Sequence, residues 1–115
     1  MGVSEFDYTP SVIVEEFAIP NINVGAMSPA GQVHTNVNFT FYKRRGYKAC
    51  LVAAWTDGSG TSSGRAWDNV IATNWWSDKR DDPNEEGNVT FTVSYSNQVN
   101  TPAKFTAHAR LIQYR

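Results

Sequence analysis

The longest uninterrupted apolar run in the chain, Ala49 to Trp55, has Gly46 before it and Gly58 after it, and it limits what the molecule can be. A run this short between turn signals is not a free-standing helix and reads as a strand covered on both faces. The other apolar patterns are weaker strands that would pack around it. At 115 residues the chain is one domain. A chain of that size buries roughly two-thirds of its unfolded surface, so a core needs neither metal nor disulfide. The single cysteine, Cys50, falls inside the run and reads as a small buried core residue, not as a reactive thiol. The lack of a disulfide framework fits folding in a reducing compartment.

The other strands follow from side-chain alternation. From Val33 to Lys43 the residues Val33, Thr35, Val37, Phe39 and Phe41 share one face, and His34, Asn36, Asn38, Thr40 and Tyr42 share the other. Lys43-Arg44-Arg45-Gly46 is a turn, so 33–43 and 46–56 are expected to form an antiparallel hairpin. Asn88 to Ser96 alternates again, with Val89, Phe91, Val93 and Tyr95 inward. Ala103 to Tyr114 places Phe105, Ala107, Ala109 and Leu111 on one face, then switches to Ile112 and Tyr114, which suggests a bulge or exposure of both faces. Val12 to Ile19 begins as a strand, is interrupted by Glu15-Glu16 and is closed by Pro20. Arg65 to Ser77 reads as an irregular strand. Residues 1–11 read as a flexible segment and 12–115 as the domain. The expected fold is all-β: a single antiparallel β-sandwich of about seven strands, jelly-roll-like or lectin-like.

Composition sets aside several functions. Ten basic and eleven acidic residues leave a net charge of −1, without the basic field that draws nucleic acid. No apolar stretch reaches bilayer length, so membrane insertion is not expected. The first ten residues lack the basic-then-apolar order of a secretory signal. His34 and His108 fall on polar faces and, with one cysteine, give no ligand spacing for zinc. The loop from Asp78 to Glu86 lacks the spacing of a calcium loop, and Lys79 and Arg80 offset its charge. No metal or cofactor is expected. No serine stands in a nucleophile-elbow context, and no cysteine has a histidine partner in view, so the chain does not read as an enzyme. Asn38 and Asn88 head glycosylation tripeptides but lie within strands.

The tryptophans are the best functional candidates. Trp55, Trp67, Trp75 and Trp76, with Asp57, Arg65, Asn69 and Asn74, form a plausible ligand-binding set: aromatic rings stack on the apolar face of a sugar while amide, carboxylate and guanidinium groups meet its hydroxyls. The Gly/Ser loop from Asp57 to Arg65, with Trp55 at its entry and Trp67 at its exit, is the expected centre. Trp75 and Trp76 are adjacent, so in an extended chain they point to opposite sides.

Gly46-Tyr47-Lys48-Ala49, the apolar strand ending in Ala54-Trp55, the Gly/Ser loop, Asn97 in a late turn and the closing Ala107-His108-Ala109-Arg110-Leu111-Ile112-Gln113-Tyr114 strand together resemble the C-terminal tip domains of bacteriophage and prophage tail-fibre proteins. The likeness covers about residues 33–115. It implies a homotrimeric, receptor-binding end of a virion fibre, folded in the bacterial cytoplasm and directed at a host surface glycan or protein. It brings no catalytic residues. Some such fibres hold iron with His-x-His ladders, which His108-Ala109-Arg110 breaks. A collar or assembly domain without ligand binding is the competing reading. His108, Arg110 and Ile112 on one side of the last strand, joined by Tyr114, would form its oligomer contact.

Overall fold

The computed structural model describes residues 10–27, 33–58, 66–78 and 82–115. Among them are six strands: β1 (Val12–Val24), β2 (Val33–Lys43), β3 (Lys48–Gly58), β4 (Val70–Ser77), β5 (Gly87–Asn97) and β6 (Ala103–Tyr114), with a 3-10 turn, Ala66–Asn69, before β4. They form two three-stranded antiparallel sheets, ordered β1-β6-β3 and β2-β5-β4. The architecture is all-β and two-layered. Six strands fall short of the expected seven and of the eight in a jelly roll.

The two central strands carry the core because their alternation is unbroken. Val89, Phe91, Val93 and Tyr95 of β5 face Phe105, Ala107, Ala109 and Leu111 of β6, and all eight are buried. Tyr95 and Phe105 meet across the layers with ring centroids 5.3 Å apart, and Phe17 meets Phe39 at 5.8 Å. The Tyr95 hydroxyl donates to the His108 carbonyl at 2.8 Å, a direct tie between the layers. Burial pushes its phenol well above the ordinary range.

Strand pairing overturns the expected hairpin. β2 pairs with β5, β3 pairs with β6, and the chain changes sheet at residues 44–47. The reason lies in a buried lysine. Lys43 is fully enclosed, and its Nζ donates to the Tyr47 carbonyl at 2.6 Å and the Arg44 carbonyl at 3.2 Å. A buried amine needs such acceptors, and the carbonyls of the 44–47 segment supply them where the chain crosses between the sheets. Gln113 completes the closure, accepting from the Arg44 N–H at 2.8 Å and donating to the Tyr42 carbonyl at 3.0 Å. Asn97 locks the far end, bonding the Gly25 and Thr101 carbonyls and the Val99 N–H.

The apolar run is therefore an edge strand and not one covered on both faces. β3 has one neighbour, with a bulge between Leu51 and Ala53 that leaves Val52 about half exposed. Cys50 is opposite Ile112 and only half-buried, which corrects its reading as core. β1 runs through Pro20 to Val24, beyond its expected end. A register shift between Ile19 and Ile22, with Asn21 at φ 61°, absorbs the proline on an edge. The irregular strand from Arg65 begins only at Val70, after the 3-10 turn. β6 itself stays regular to Tyr114: Gln113 is buried in the inward file, and the register shifts belong to its two neighbours.

Candidate functional site

The residues proposed from sequence that the structure describes do not form one site. Trp55 and Asp57 lie on the outer face of the β1-β6-β3 sheet. Trp67 stands on the inner side, its indole Nε1 only 2.7 Å from where a Cβ on Gly58 would be, so that close approach requires the glycine. Trp55 and Trp67 are both among the residues that line a groove of about 400 Å³ between the β3 and β4 edges, and Asp57 and Asn69 are not. Asn69 is exposed on the 3-10 turn. Trp76 is on the opposite side of the molecule, on the outer face of β2-β5-β4. Arg65 and the loop 59–65 lie outside the described residues.

Around Trp55 the surface is engaged with itself. The His108 imidazole lies parallel to the indole, centroids 5.0 Å apart and planes 3° apart. The Arg110 guanidinium approaches the same ring at 5.5 Å and is paired with Glu16 at 2.6 Å. Asp57 Oδ2 is 4.0 Å from His108 Nε2. These contacts follow from register, because Trp55 is opposite His108 and Glu16 is opposite Arg110. An indole already stacked on an imidazole and a cation offers little ring to a ligand.

The outer face of β2-β5-β4 has a different construction. Its central file is hydroxylic: Thr90, Thr92, Ser94 and Ser96 alternate along β5. On one flank these stand opposite Thr40, Asn38, Asn36 and His34 of β2; on the other, Trp76 is opposite Thr92 and Asn74 opposite Ser94. The rungs are hydrogen-bonded. Ser94 donates to Asn36 Oδ1 at 2.6 Å and Thr92 to Asn38 Oδ1 at 2.8 Å, while Thr40 and Thr90 share a bond of 2.9 Å. A bulge between Ala72 and Asn74 brings Thr73 onto this face, within 3.0 Å of the Ser96 hydroxyl.

Beside this ladder is a shallow depression of about 330 Å³, lined by His34, Asn36, Thr73, Asn74, Trp76, Ser94 and Ser96. Trp76 is 47% exposed and has no ring or cation partner among the described residues. Its neighbour Trp75 points inward, 5.8 Å from Phe91. At the far end of the face Tyr42 is exposed, and Glu86 holds its phenol above the ordinary value, chiefly through a side-chain hydrogen bond.

Sequence reasoning picked Trp76 and Asn74 and missed the β2 and β5 residues beside them. The signal was the polar alternation of β2 and β5, which reads equally well as a solvated face until the register places the two files side by side. Among the described residues no three His, Cys, Asp or Glu side chains gather to hold a metal, and no helix is long and apolar enough to cross a membrane. No protein-family model matches the chain, and no similar protein was found among the curated proteins or the solved structures.

Proposed function

We propose that the chain is a carbohydrate-recognition module of a virion attachment fibre, a phage tail-fibre tip, that engages a host surface glycan on the outer face of β2-β5-β4. The observation that carries this reading is the half-exposed, unpartnered Trp76 beside a depression walled by amides and hydroxyls. A flat aromatic with convergent hydrogen-bonding groups suits a pyranose, whose ring has an apolar face and a polar rim. The rungs hold these polar groups in place, so little side-chain entropy is lost on binding. The reading is of a binding module and not of an enzyme.

The test is retention of the protein by host envelope polysaccharide, compared between wild type and Trp76→Ala. Loss of a central tryptophan contact costs about 2 kcal/mol or more, so affinity should fall roughly 30-fold with the fold unchanged. Undiminished retention by the variant would remove the site.

A second reading rests on the opposite face. Val12, Val14 and Tyr114 are exposed there, on the same side as the half-buried Ile112 and Cys50. Such a strip suits self-association in a fibre, as a trimer, and on its own would make the chain an assembly domain. Sedimentation separates the cases: trimers that bind no host surface favour assembly, and a monomer at micromolar concentration removes the strip as an interface.

A further inference from the structure

Taking the saccharide reading of the Trp76 face as its basis, we infer that the ligand is a neutral sugar, held through its oxygen lone pairs by a fixed set of amide donors. The direction of the internal hydrogen bonds carries the argument. Ser94 and Thr92 send their hydroxyl protons to Asn36 Oδ1 and Asn38 Oδ1, and Asn74 Oδ1 accepts the Trp75 backbone N–H at 2.9 Å. In all three asparagines the carbonyl oxygen is occupied, and among the described residues the Nδ2 groups have no partner. Each Nδ2 carries two donors.

Asn36 and Asn38 are two residues apart on one strand face, a spacing of roughly 6.7 Å, and Asn74 stands across the hydroxyl file from Asn36. The ligand thus meets donors on both flanks and, between them, hydroxyl oxygens whose protons are already given to Asn36 and Asn38. Its ring and hydroxyl oxygens fit that polarity. A carboxylate or sulfate would accept from the same donors but would have to leave water without a counter-ion. Among the described residues, the depression is lined by no lysine, arginine, aspartate or glutamate. At its end the file carries, among the described residues, a negative charge: Asp78, whose Oδ1 accepts the Thr90 N–H at 3.0 Å. An anionic sugar would be desolvated with no compensating charge.

The experiment is affinity electrophoresis at pH 7.5 in gels containing neutral polymers (β-glucan, mannan, galactomannan) or acidic ones (polygalacturonate, hyaluronan, polysialic acid). It uses wild type, Trp76→Ala, Asn36→Asp and Asn74→Asp. The Asp variants keep an oxygen for the internal bond, so the rung survives while the outward donors are replaced by a charged carboxylate oxygen. Neutral polymers should retard wild type, and each Asp variant should weaken that retardation tenfold or more. Retardation by acidic polymers alone, or equally by both classes, overturns the inference but leaves the saccharide reading standing if Trp76→Ala abolishes it. Neutral retardation that survives both Asp substitutions also overturns the inference. Retardation by no polymer, or none that depends on Trp76, defeats the saccharide reading and this inference with it.

Discussion

The two outer faces of this molecule use the same kind of aromatic to opposite ends. On β1-β6-β3, Trp55 is closed in by His108 and Arg110, and the charges nearby are paired with each other. On β2-β5-β4, Trp76 stands clear and the polar groups around it are fixed by short internal bonds, with their amide donors still directed outward. A tryptophan in a strand is therefore a poor predictor of a site by itself. What distinguishes the two is whether the cross-strand neighbours complete the ring's contacts or leave them to a ligand.

The largest effect expected from this contrast is a crossed pair of substitutions. Trp76→Ala should reduce glycan retention roughly 30-fold while thermal unfolding stays within a degree or two. Trp55→Ala should do the reverse. It forfeits an aromatic stack and a cation–π contact, about 1–2 kcal/mol in total, so chemical denaturation should show a lower midpoint with retention unchanged. Retention lost in both variants would mean that the faces are not independent.

A smaller effect sharpens the same point from the interior. Tyr95 joins the sheets through its bond to the carbonyl of His108, the residue on which Trp55 stacks. Tyr95→Phe should cost about 1 kcal/mol and leave retention intact, since the core volume hardly changes. It should also alter the alkaline limb. The folded chain holds this phenol protonated well above its ordinary value of 10.0, while the unfolded chain does not. The contribution of Tyr95 is complete below that value and is lost as pH rises beyond it, because the folded state then binds the extra proton. Denaturation measured between pH 9 and 11 should fall less steeply in Tyr95→Phe than in wild type.

The strands were legible in the sequence where alternation is strict. The inward files of β2, β5 and β6 could be read off residue by residue, because large apolar side chains fall on every second position. The pairing of strands could not. Gly46, at φ 88°, permits a tight turn whether the chain returns within one sheet or crosses to the other. The enclosure of Lys43 settles which, and in sequence Lys43 looks like one of several turn cations. β3 misled for a different reason. Its run owes much to Ala49, Ala53 and Ala54, and alanine is equally at home in a core or under a neighbour's long side chain. Ala53, opposite Arg110, is half-buried on an outer face. The site failed to emerge for the same cause as the pairing. Asn36, Ser94 and Asn74 come from three strands, and only their shared rung makes a donor array of them.

The central claim is that ligand recognition belongs to the Trp76 face, and a nuclear magnetic resonance titration of the wild-type protein with a neutral oligosaccharide tests it most directly. The indole N–H of Trp76 and the side-chain amide signals of Asn36, Asn38 and Asn74 should shift together, with a common saturation curve, while the indole N–H of Trp55 stays still. Shifts confined to Trp55 and Trp67, or spread along the β3 and β4 edges, would put the ligand in the groove between the sheets and contradict the account.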